Sequence, residues 1–215
     1  MQIISVNVGL PRQVIWKGKP VSTGIFKEPI NERVMVRSLN LDGDGQADLT
    51  VHGGLEKAVY VYPFEHYDYW RSELPDTELT LGIFGENFTV IGFREAELNI
   101  GDRFQVGTVQ LMVTQPRLPC YKLGIRFGRP DMVKRFLASR RTGFYFSVLQ
   151  DGEVGTGDTL KLVSRDESNI TVTDITQLYT REQTNPELLQ RAAQLKALPA
   201  SWRKYFQEQI HRQRE

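Results

Sequence analysis

From the N-terminus to about residue 165, apolar residues come in short alternating or continuous runs broken by glycine and proline. Runs of roughly four to eight such residues between turn formers predict β-strands. Met1–Gly9 predicts a strand of about seven residues, and Val34–Leu39, Ala58–Tyr62, Val109–Thr114, Gly143–Leu149 and Leu160–Ser164 predict further ones. Gly101-Asp102 and Gly157-Asp158 each stand immediately before a strand. This is a turn device in which Gly takes a positive φ and Asp bonds local backbone, so the two strands are expected to enter one closed sheet. Pro63–Leu74 opens on Pro at the first helical position and puts Phe64, Tyr67 and Trp70 near one face. Asp131–Ser139 follows Pro130 with Met132, Val133, Phe136 and Leu137, and Tyr121–Phe127 starts a third short helix.

Beyond Arg165 the pattern changes. Asp166–Asn169 is a polar linker, and Thr173–Thr180, Pro186–Lys196 and Pro199–Arg212 have helical spacing. Asn185 is placed as an N-cap. Leu188, Leu189, Ala192 and Leu195 form an apolar stripe. Ser201 is expected to cap the last helix, with Trp202, Tyr205, Phe206 and Ile210 on one side. The expected fold is α+β and mostly β: a barrel-like β domain with short helices over residues 1–165, then a small three-helix domain over 166–215.

Composition narrows the function. The 215 residues carry 27 Lys+Arg against 26 Asp+Glu, and the tail from Asp166 is itself balanced, so a polyanion-coating protein or a basic DNA-binding bundle is not expected. The N-terminus lacks a signal peptide's basic region and cleavage site, and no run of 18 or more apolar residues occurs. Neither export nor a membrane span is expected, and the cytoplasm is the default. There is one cysteine, Cys120, and there are three histidines. One cysteine excludes an intrachain disulfide, a CxxC pair, an iron–sulfur cluster and a four-cysteine zinc site.

Asp42-Gly-Asp-Gly-Gln-Ala-Asp48 looks at first like a calcium loop, but the position that needs a bidentate Glu holds Gly53, or Leu55 in the alternative register. A glycine-rich turn is left, or, with His52-Gly-Gly54, a loop whose N–H groups approach an anion. His52 ends a Leu-Thr-Val run and reads either as a structural hydrogen-bonder or as a site residue. Asn87, in Gly85-Glu-Asn87, reads as a turn residue or as an amide presented to a ligand. The sharpest segment is Thr114-Gln-Pro-Arg-Leu-Pro-Cys120-Tyr-Lys. There the cysteine lies at a helix start beside Arg117 and Lys122, which favour the thiolate. An inert, gap-filling cysteine is the alternative.

These motifs in this order resemble the MOSC-domain family, named for the C-terminal domain of molybdenum cofactor sulfurases. The markers are Val8–Arg12, Thr23–Pro29, Leu41–Asp48, His52-Gly-Gly54, Gly85–Phe88, Ile100–Asp102 and Gln115–Cys120. The tail resembles the three-helix extension of the bacterial subgroup that reduces bases such as 6-N-hydroxylaminopurine. The resemblance implies a MOSC-type β-barrel and a molybdenum cofactor, molybdopterin, held by one protein thiolate. Cys120 stands at the ligand position. Arg117 and Lys27 match basic cofactor contacts, and Asn87 and His52 match recurrent polar positions, candidates for orienting substrate. The substrate would be a small N-hydroxylated compound rather than nucleic acid. With no GxGxxG fingerprint after a strand, electrons would come from an external, flavin-based reductase. Two other roles remain open: a sulfur carrier using a Cys120 persulfide, and a non-catalytic molybdopterin-binding module.

Overall fold

The structure, a computed structural model, describes residues 1–48, 53–180 and 185–212. The strands are β1 (Gln2–Val8), β2 (Arg12–Trp16), β3 (Lys19–Thr23), β4 (Glu28–Ile30), β5 (Val34–Val36), β6 (Val59–Pro63), β7 (Phe88–Ile91), β8 (Arg103–Val106), β9 (Val109–Pro116), β10 (Phe144–Gln150), β11 (Gly152–Val154) and β12 (Leu160–Ser164). The helices are α1 (Glu65–Glu73), α2 (Tyr121–Phe127), α3 (Met132–Ser139), α4 (Val172–Thr180), α5 (Pro186–Gln194) and α6 (Ala200–Arg212).

Eight strands make one sheet in the order β12-β8-β9-β10-β6-β7-β1-β4, while β5 with β11 and β2 with β3 form separate ribbons. β6 and β7 run parallel. Among the described residues no continuous ladder closes the sheet into the expected barrel. The β12 edge meets β1, the strand next to the other edge, at one bridge, Gln2 with Thr159, flanked by the bonds Ile3 N–Asp158 O (2.9 Å) and Leu160 N–Met1 O (3.1 Å). The expected Gly-Asp turn explains the gap. Gly157 has φ 93°, and Asp158 accepts from Gly155 N at 3.0 Å, so the chain bends before pairing can extend. The strands led by the two Gly-Asp turns, β8 and β12, pair directly with each other.

Every residue of β6 is buried, as in a strand covered on both faces. One apolar cluster joins Ile3, Val61, Val113 and Phe146 of the sheet to Val172, Ile175, Leu188 and Phe206 of the tail. Sheet and tail thus share a core. A second cluster packs α1 and α3 through Tyr62, Trp70, Phe84 and Phe136, with the rings of Trp70 and Phe136 stacked at 5.8 Å.

Several boundaries differ from expectation. Pro63 ends β6 instead of opening α1, because Phe64 N is drawn to Val90 O of the neighbouring strand (2.7 Å). Ser201 is not a cap: α6 starts at Ala200, and the Pro199 carbonyl accepts from Trp202 and Arg203 N–H. Asn185 does cap α5, its Oδ1 accepting from Glu187 and Leu188 N–H, both at 3.1 Å. No helix among the described residues is long and apolar enough to cross a membrane.

Candidate functional site

A cleft of about 630 Å³, counting its open mouth, forms where several connections converge. They are the segment after β3, the Gly45–Ala47 loop, the start of β6, the turn before β7 and the β9–α2 connection.

The β9–α2 connection supplies the thiol. Arg117 N bonds to Gly143 O (3.3 Å) as β9 ends, and Cys120 becomes the extended N-cap of α2, with Leu123 N donating to its carbonyl at 3.0 Å. Cys120 is half-buried, without a disulfide, and lines the cleft. Arg117 is buried. Its Nη1–H donates to Tyr60 Oη at 3.3 Å, and its guanidinium carbon lies 4.6 Å from the Tyr60 ring centre and 5.3 Å from that of Phe136. These rings orient the fork by cation–π contact but do not neutralise it. Tyr60 in turn donates to Thr142 O (2.8 Å), and burial pushes the Tyr60 and Tyr145 hydroxyls above their usual range, so both stay neutral. Arg117 makes no ion pair with any described residue, and neither does Lys122 on the first turn of α2, which is also buried and lines the cleft. Lys57 adds a further cation at the wall, its pKa lowered by burial.

Lys27 and Asn87 are joined by a residue that sequence reasoning missed. Asp44, buried in the glycine-rich loop, accepts from Lys27 Nζ, from Gly9 N at 3.0 Å and from Asn87 Nδ2 at 2.8 Å. Burial lowers the Lys27 pKa, and the Asp44 carboxylate opposes that shift. Asn87 also donates to Asn7 O (3.3 Å) and accepts from Tyr60 N (3.0 Å). Its amide is therefore spent on β1, β6 and Asp44, which makes it a positioning group in the wall. Gly85 makes the turn that presents it. It has φ 82°, and a Cβ there would sit 2.9 Å from Ile25 Cγ1.

The structure thus brings Cys120, Arg117, Lys27 and Asn87 to one cleft, while His52 lies outside the described residues. Asp44, Tyr60 and Lys57 were not singled out. Asp44 carries a signal, an acid inside a glycine-rich loop, that a turn explains equally well; a strand tyrosine gives none. Among the described residues no group of three or more His, Cys, Asp or Glu side chains comes together to hold a metal ion. One soft thiol ringed by cations instead suits a metal that arrives inside its own anionic chelate, and in that respect the residues fit molybdopterin.

Sequence comparison agrees with this architecture. Residues 48–161 match the MOSC domain, and the chain belongs to the MOSC-domain family. Residues 170–213 match the YiiM-like 3-alpha helix domain, which places it in the branch with a helical tail. It is 41% identical to the uncharacterized protein YflK of Bacillus subtilis over 98% of this chain and 95% of that one. The crystal structure of YiiM from Geobacillus stearothermophilus superposes with a TM-score of 0.81 at 34% identity, covering 97% of this chain and 98% of that one. A protein of Gibberella moniliformis named "Reductase" is 32% identical over 83% of this chain, but the match covers 32% of its own length.

Proposed function

We propose that this protein is a molybdenum-cofactor-dependent reductase of N-hydroxylated compounds (6-N-hydroxylaminopurine-type bases, hydroxylamines, amidoximes). The supporting observation is the gathering of the chain's one cysteine with Arg117, Lys27 and Lys122 in a single cleft of a MOSC-family chain. The reaction balances as R–NH–OH plus two electrons and two protons giving R–NH2 plus water, with the N–O bond broken. When bound, the cofactor would supply the two-electron redox chemistry of this reduction.

The chain's own residues hold and orient. The Cys120 thiolate is the metal ligand. Arg117, Lys122 and Lys27 neutralise the anionic chelate and its phosphate, and the planar fork of Arg117 is preset by Tyr60 and Phe136. Asp44 and Asn87 keep Lys27 at the wall. His52 is the candidate for orienting substrate. Electrons come from a separate, flavin-based reductase. The fungal relative, named a reductase and mostly outside the match, supports a MOSC unit that works with further protein. With charge balanced over the chain, the substrate is a free small molecule and not nucleic acid, met in the cytoplasm.

The test is turnover of 6-N-hydroxylaminopurine with a chemical electron donor, using protein from a molybdopterin-competent host. Wild type should turn over, and Cys120→Ala should fold equally well without activity. Full activity in Cys120→Ala would sink the thiolate reading. Labile sulfane sulfur on Cys120 without turnover would indicate the sulfur carrier.

A further inference from the structure

The helical tail reaches the cleft through a polar contact. Trp202 of α6 is buried, and its indole Nε1–H donates to Gln115 Oε1 at 2.5 Å. The other end of the same amide, Gln115 Nε2, donates to Glu56 O at 3.2 Å, where Thr114 Oγ1 also donates at 2.7 Å. Glu56 is the middle residue of a 3-10 turn, Leu55–Lys57, and Lys57 lines the cleft. A β-bulge at Thr114 interrupts the alternation of β9, so that Val113 pairs with Phe146 and Gln115 with Tyr145, and Arg117 lies two residues beyond Gln115. A leucine at 115 would fill this place in the core without any bond. A buried amide spent at both ends, on the tail and on the turn, acts as a connector, because each member of such a network is costly to leave unpaired.

We infer that Trp202 is a positioning residue for the cleft. Through Gln115 the tail fixes both the turn that carries Lys57 and the strand end that carries Arg117, and so sets how firmly the cleft holds its anionic occupant. The identity of that occupant rests on the cofactor reading above; the connection does not.

Two full-length variants separate this role from mere tail stability. Trp202→Phe keeps an aromatic ring beside Tyr179 and Phe206, whose centroids lie 5.4 and 5.9 Å from that of Trp202, and removes the N–H. Phe206→Leu disturbs the same core and removes neither hydrogen bond of the Gln115 amide. Amide hydrogen exchange is followed across residues 55–57 and 114–118 in cofactor-free protein, and retained pterin is measured after purification from a molybdopterin-competent host. Trp202→Phe should speed exchange in both segments about fivefold, the worth of one neutral hydrogen bond, and should lower pterin retention. Phe206→Leu should lower the thermal midpoint and leave both readouts unchanged. Equal effects in the two variants, or no change in Trp202→Phe, overturn the inference. Wild type without pterin would instead refute the cofactor reading, and the exchange rates would still decide the connection.

Discussion

Asp44→Asn is the most informative single change to the cleft wall. Asp44 is 6% exposed and Lys27 7%, and the carboxylate takes Lys27 Nζ, Gly9 N and Asn87 Nδ2. Asparagine keeps the shape but has a single acceptor oxygen and turns an NH2 group toward former donors. Removing one partner of a buried ion pair costs about 3–5 kcal/mol. A buried donor left without an acceptor adds about 1–3 kcal/mol. Because Lys27 can shed its proton to escape an unpaired charge, a net loss of about 3 kcal/mol is expected near neutrality. With a urea slope of about 2 kcal/mol per molar, the unfolding midpoint should fall by about 1.5 M. The pH dependence has a definite sign. Burial pulls the Lys27 pKa below 10.5 and Asp44 opposes it, so loss of Asp44 lowers it further. A lysine with a lowered folded pKa gives up its proton first in the folded state. Stability then rises with pH between the folded value and 10.5, and the deficit of Asp44→Asn should narrow as pH rises from neutrality toward 10.5. A midpoint shift below about 0.5 M, or a deficit that widens with pH, would show that Asp44 is not what stabilises the Lys27 charge in the wall.

Glu86 is fully buried. Its Oε1 accepts from Tyr67 Oη, Gly82 N and Thr89 Oγ1, its Oε2 has no hydrogen-bond partner among the described residues, and burial raises its pKa above 4.5. The folded state therefore holds the proton longer, wild type loses stability as pH rises from 4.5 through the folded value, and Glu86→Gln should gain in thermal midpoint relative to wild type over that window; a flat difference would refute it. Arg117→Ala should lose a charge-assisted bond worth about 1.5–3 kcal/mol and with it cofactor occupancy. Arg117→Lys should restore this in part, for want of the planar fork over Tyr60; wild-type pterin content in both would make Arg117 purely structural. Asn185→Ala should cost about 1 kcal/mol by calorimetry, through loss of its bonds to Glu187 and Leu188 N–H.

What was legible in the sequence is what depends on local chemistry. The Gly-Asp turns before β8 and β12, the Asn185 cap and the amphipathic stripes of α5 and α6 all follow from residues close in the chain. The cysteine segment was legible because prolines and cations flank it. What escaped is set by partners distant in sequence. The β2–β3 ribbon is mostly exposed, so its alternation was weak. Asp44 reads as a turn residue until Lys27 and Asn87 fold onto it from other segments. Asn87 reads as a free amide until strands β1 and β6 take both its ends. Trp202 reads as one more apolar position on α6, because nothing in the tail announces Gln115.

The proposed function requires the cleft to hold a molybdenum–pterin group through Cys120. Its most direct test is metal and pterin analysis, with X-ray absorption at the molybdenum edge, on wild-type and Cys120→Ala protein from a molybdopterin-competent host. Stoichiometric molybdenum with pterin is expected in wild type, together with a metal–sulfur contribution that Cys120→Ala lacks. Wild-type protein carrying neither metal nor pterin, or an identical absorption spectrum in the two proteins, would contradict it.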